Sequence, residues 1–78
     1  MMTDIQLAIK YRNHLSRQSR EAHSRGEDSL GISLFREAVD LYTAIMAVRR
    51  GKDINLDREA ISQAAVQQKA LERSRANA

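Results

Sequence analysis

LFREAVDLYTAIMAV, residues 34–48, is the one long apolar segment in the chain, and the rest of the sequence has to fit around it. Leu34, Ala38, Leu41, Ile45 and Val48 recur at steps of four and three, which places one side chain per turn on a single stripe of an α-helix. Phe35, Tyr42 and Met46 form a second stripe beside it, with Val39 flanking. Together the two stripes exceed the ~100° arc of an ordinary surface helix. The pattern predicts a helix covered from two directions, the central member of a three-helix bundle, with Phe35 and Tyr42 in the core. Arg36, Glu37, Asp40 and Thr43 are left as its solvent face. Arg49, Arg50, Gly51 and Lys52 mark its end, since cations suit the negative pole of the helix dipole and glycine accepts the left-handed conformation of a C-terminal cap.

The flanking segments read as two further helices. Thr3-Asp4-Ile5-Gln6 has the form of a capping box, in which the threonine hydroxyl and the glutamine side chain each satisfy a backbone N–H of the first turn. The first helix is expected over about 4–25, stopped by Gly26. Its apolar residues crowd into the first half, and SRQSREAHSR (16–25) offers only Ala22 to a core. That second half is expected to project into solvent or to meet a partner. GEDSLG (26–31) reads as a short connection with Asp28 or Ser29 as the next cap, or Ser33 further on, so helices 1 and 2 should form an antiparallel hairpin. Helix 2 is expected over about 30–50. Asp57 then caps helix 3 (about 57–75), with Leu56 and Ile61 placed for a hydrophobic staple. Helix 3 should pack through Ala60, Ile61, Ala64, Ala65, Gln68 and Leu71, and residues 74–78 should fray. The expected architecture over 1–78 is thus a single all-α domain, an antiparallel helical hairpin plus a third helix, with helix 2 central.

Composition narrows the function classes. The chain has 78 residues, no cysteine, no proline and three glycines. It has no thiolate chemistry, and two histidines without cysteine make a poor structural zinc set. No run approaches the ~18 apolar residues of a membrane span, and MMTDIQLAIK lacks the form of a secretory signal. A cytoplasmic protein is expected. The net charge of +3 is unevenly distributed: residues 1–26 and 49–78 are each basic by three, and residues 27–48 are acidic by three.

Catalytic chemistry finds no support. His14 and His23 are nine residues apart, which puts them on opposite faces of a helix, so they cannot share a metal or a proton relay. No serine stands in a nucleophile elbow, and there is no glycine-rich phosphate loop. The chain is expected not to be an enzyme and to need no cofactor or metal.

Two binding roles remain. A small basic DNA- or RNA-binding regulator would use Lys10, His14, Arg17, Arg20 and Arg25 on helix 1 with Arg49, Arg50 and Lys52 after helix 2, through phosphate contacts and counterion release. The stretch 55–75 lacks the turn glycine and second short helix of a helix-turn-helix. The favoured role is a protein-interaction or accessory module, self-associating as a dimer or binding another protein. The contact would lie on helix 1 and helix 3: Tyr11 and Leu15 on one, Ala60, Ala64, Ala65 and Gln68 on the other, where small side chains leave room for a partner helix. The order of a long first helix, FREAVDLYTAI (35–45) and a third helix with LERSR (71–75) resembles the microtubule-interacting-and-transport three-helix domains, although both connections are several residues shorter. That resemblance implies an adaptor that takes a helical motif between its helices.

Overall fold

The structure, a computed structural model, describes residues 1–77; Ala78, the end of the expected tail, lies outside the described residues. It contains α1 (Asp4–Ser24), α2 (Asp28–Arg49) and α3 (Asn55–Ala76). Each helix packs against the other two, so the fold is an all-α three-helix bundle.

Local chemistry sets the helix ends. At the start of α1, Gln6 N–H donates to Thr3 Oγ1 (3.2 Å) and Thr3 N–H donates to Gln6 Oε1 (2.9 Å), completing the capping box. Gly26 and Gly51 both have positive φ, +80° and +70°. At the first, Glu27 N–H donates to Ala22 O (2.8 Å) and Gly26 N–H to His23 O (3.0 Å). At the second, Lys52 N–H donates to Ala47 O and Gly51 N–H to Val48 O. These paired bonds satisfy the last carbonyls of α1 and α2 in the same way, with a left-handed residue that glycine alone adopts without strain.

Several boundaries differ from the sequence expectation. The glycine turn reverses the chain within Arg25–Glu27, so α2 begins at Asp28 with Glu27 as its N-cap and no capping side chain. Gly31 therefore belongs to the first turn of α2 and not to the connection. Helix α3 starts at Asn55. Asp57 supports that start from inside, its Oδ2 accepting from Ile54 N–H at 2.9 Å. Leu56 consequently falls within the helix and is exposed, while Ile61 is buried, so the two form no staple. At its far end α3 continues through Ser74, Arg75 and Ala76, since no glycine or proline interrupts it.

Side-chain contacts fix the register. Ser19 meets Gly31, His23 meets Asp28 and Arg12 meets Tyr42, so α1 and α2 are antiparallel. Ala8 packs with Ile61 and Ala64, and Lys10 lies 3.8 Å from Glu72, so α1 and α3 run in the same direction. The main core cluster gathers Ala8 of α1, Leu41, Ala44 and Ile45 of α2, and Ile61 and Ala64 of α3, with Ile5, Ile9, Tyr11, Val48 and Ala60 against it. Ile45 is the largest fully buried side chain, and its burial contributes about 1.5–3 kcal/mol.

The second half of α1 also packs, contrary to expectation. Ser19 and Ala22 are buried, and the Ser19 hydroxyl donates to Gly31 O at 2.7 Å. A Cβ on Gly31 would stand 2.6 Å from His23 Nε2. Small residues let the two helices approach closely here, where long side chains would hold them apart. The partner that the sequence leaves open for this half is α2 itself.

Two substitutions test this packing. Ile45→Ala should lower the unfolding free energy by ~2–5 kcal/mol, measured by urea titration followed by circular dichroism. Gly31→Val should cost ~1–3 kcal/mol by forcing the His23 ring and α1 away from α2. An unchanged midpoint for Gly31→Val would mean that the close approach is not required.

Candidate protein-interaction surface

The first apolar stripe of α2 is covered as expected: Ala38, Leu41 and Ile45 are buried, and Leu34 and Val48 are half-buried. The second is not. Phe35 is 58% exposed, Ile32 49%, Tyr42 48% and Val39 43%, with Met46 half-buried at the end of the row. The expectation that Phe35 and Tyr42 join the core is therefore corrected. The two stripes lie roughly 110° apart around the helix. Both α1 and α3 pack over the arc around Leu41 and Ile45, and neither reaches past it. The flat envelope, 39 × 30 × 14 Å, leaves each helix with a broad outward face.

Ile32, Phe35, Val39, Tyr42 and Met46 follow one another at steps of three, four, three and four, the spacing of a coiled-coil seam. On the α1 side Arg12 lies over the Tyr42 ring, its Cζ 5.2 Å from the centroid, a cation–π contact at the rim of the stripe. On the other side Thr43 donates its hydroxyl to Val39 O at 3.0 Å, so that hydroxyl is satisfied within the helix. Glu27 and Asp28 stand at one end of the row, and Arg49, Arg50 and Lys52 at the other.

The residues expected to form the interface sit elsewhere. Tyr11, Leu15, Ala60 and Ala64 line a groove of about 420 Å³, floored by Leu41 and edged by Glu37 and Asp40 of α2 and by Gln63 and Gln67 of α3. Yet Leu15, Ala64, Ala65 and Gln68 are themselves buried. The room expected beside the alanines of α3 is largely filled by the neighbouring helices, because alanine lets them come close. Only Tyr11 and Ala60 keep partial exposure. The Tyr11 hydroxyl has a raised pKa, first from burial and then from the Glu37 carboxylate.

The basic residues do not converge on one face. Arg49, Arg50 and Lys52 follow the C-terminal end of α2, beside the start of α1. Arg17, Arg20 and Arg25 lie toward the opposite end of the bundle. Lys10 is near Glu72, and Arg25 pairs with Glu27 at 3.0 Å. His14, Arg17 and Arg75 do come together, in a nook of about 230 Å³ whose wall includes Gln68. Gln68 Oε1 is the buried side-chain oxygen without a hydrogen-bond partner among the described residues. His23 points the other way, against Gly31 and Asp28.

The exposed row was hidden in the sequence by its own periodicity. Its residues share a face with one another, which the spacing shows, but Ile32 lies before the apolar segment and the 34–48 pattern does not include it. Compared with protein-family models, curated proteins and solved structures, the chain matches none of them.

His14 supplies a pH test. Its pKa is lowered, first by burial, then by Arg17 and Arg75, with Glu21 opposing. A histidine whose folded pKa lies below its unfolded value favours folding when neutral. That contribution is present above the ordinary value of about 6.5 and is lost as pH falls through it. The unfolding free energy should thus decline between about pH 7 and pH 5, and His14→Gln should decline less over the same range. Equal slopes for the two proteins would exclude His14 as the source.

Proposed function

We propose that this chain is a small non-enzymatic accessory module of the cytoplasm that binds protein, helix against helix, through the Ile32–Met46 row of α2. The observation that carries the reading is the row itself. Single exposed apolar residues are ordinary on protein surfaces, but a contiguous patch marks an interaction site. Here four large side chains at seam spacing stand outward on one helix, with half-buried Met46 continuing the row, while six of the eleven buried hydrophobic residues are alanine. A partner helix with apolar residues at the same spacing would bury them in the manner of a helix laid along a groove. The proposal moves the contact from α1 and α3, where the sequence suggests it, to α2.

A second reading, a small DNA- or RNA-binding regulator, is supported by the meeting of Arg17 and Arg75 beside His14. The two roles separate cleanly. Phe35→Asp combined with Tyr42→Asp should reduce protein association at least ~10-fold without loss of helicity, because both side chains are already exposed. Arg17→Glu with Arg20→Glu should leave it unchanged. Association is read with nuclease-treated protein by sedimentation and by binding of the labelled chain. Association that survives the α2 substitutions but disappears with nuclease or with the arginine reversals would replace the first reading by the second.

A further inference from the structure

We infer that the occupant of the α2 row is a second copy of this chain, crossing antiparallel with a twofold axis close to Val39. The inference rests on the proposed role of the row and names its partner.

The order of side chains is the first argument. Ile32, Phe35, Val39, Tyr42 and Met46 alternate between aliphatic and aromatic, and the series reads the same from either end. A twofold axis at Val39 brings Ile32 of one copy opposite Met46 of the other, and Phe35 within one residue, about 1.5 Å, of the level of Tyr42. Every layer then pairs residues of similar volume. An isologous contact requires such self-complementarity, whereas a heterologous partner does not.

Charge is the second argument. The row begins beside Glu27 and Asp28 and ends beside Arg49, Arg50 and Lys52. None of those three cations has an ion-pair partner within the chain among the described residues. The Asp28 side chain is 75% exposed and touches His23 through one oxygen, at 3.2 Å, leaving the other open. In the antiparallel arrangement the acidic end of each copy lies against the basic end of the other, twice by symmetry. A parallel pair would set acid against acid and base against base, which disfavours it. Arg36 would come level with the Tyr42 ring of the second copy, on the side away from Arg12, a second cation–π position.

Area is the third argument. With aromatic side chains presenting ~150–250 Å² in full and about half of each exposed, the row offers on the order of 400 Å² per copy. The pair then covers roughly 800 Å² before its charged rims are counted, below the ~1,200 Å² of standard interfaces and in the range of weak, transient ones. That size describes a dimer in concentration-dependent equilibrium with its monomer.

The chain has no cysteine, so single thiols can be placed without background. Ile32→Cys and Met46→Cys proteins are purified separately, then treated with a short bis-maleimide alone and as an equal mixture. Antiparallel pairing predicts a mixed dimer in the mixture and ~10-fold less product from either protein alone. Efficient product from each alone, with none gained on mixing, would show a parallel pair and overturn the inference. Sedimentation of the unmodified chain from micromolar to millimolar concentration provides the independent arm. Val39→Glu, which sets two carboxylates against each other at the axis, should raise the dimer dissociation constant at least ~10-fold at unchanged helicity. A monomer at all concentrations overturns the dimer. If that monomer still binds a different protein through Phe35 and Tyr42, the interaction reading stands without it; if it binds none, both fall.

Discussion

The contact between Ser19 and Gly31 governs much of what the rest of the molecule can do. The serine hydroxyl donates to the glycine carbonyl at 2.7 Å, and the His23 ring occupies the space that a Cβ on Gly31 would need. This contact seats the second half of α1 against the start of α2 and fixes how α2 is rotated about its own axis. Once the side bearing Gly31, Ala38, Leu41 and Ile45 faces inward, the side bearing Phe35, Val39 and Tyr42 cannot. The third helix packs on that same inward arc, and among the described residues there is no fourth element to cover the outer side. The exposed row is thus a consequence of the close approach of α1 and α2.

What was legible in the sequence is what local chemistry decides. The Thr3–Gln6 capping box, the two glycine stops and the packing face of α3 through Ile61, Ala64 and Gln68 all depend on residues within a turn or two of each other. What was illegible depends on distance across the fold. Periodicity shows which side chains share a face, but not whether a neighbour arrives to cover that face. Phe35 and Tyr42 were read inward for that reason. The stretch 16–25 offers only Ala22 to a core by type, yet Ser19 is buried too, because a serine is small enough to sit in a tight crossing and satisfies its hydroxyl on a backbone oxygen. Gly31 was read as loop because glycine signals both a turn and a close approach, and one sequence does not distinguish them.

The charge pattern has a comparable double meaning. A basic–acidic–basic order along the chain suggests helices held together by complementary charge. In the structure the ion pairs Lys10–Glu72, Arg25–Glu27 and Arg58–Asp53 involve exposed basic side chains, and exposed pairs contribute only ~0–1 kcal/mol each. Charge therefore does little to hold the bundle closed. Its arrangement is free to serve another purpose, and the separation of acid and base to opposite ends of α2 gives the apolar row of that helix a direction.

Core and surface are coupled through the allocation of large residues. The chain has three aromatic side chains. Phe35 and Tyr42 stand outward and Tyr11 is half-buried, while six of the eleven buried hydrophobic positions are alanine, Ala8, Ala22, Ala38, Ala44, Ala64 and Ala65, and the other five are leucine or isoleucine. A short chain already buries a modest fraction of its surface, and an alanine-rich core adds little per residue. Anything that covers the α2 row binds the folded state and not the unfolded one, so association raises stability by mass action. The side chains that the core does without are the ones such an association would bury. Under the proposed function, folding and partner binding would thus be two parts of one equilibrium, linked through the face of α2 that α1 leaves open.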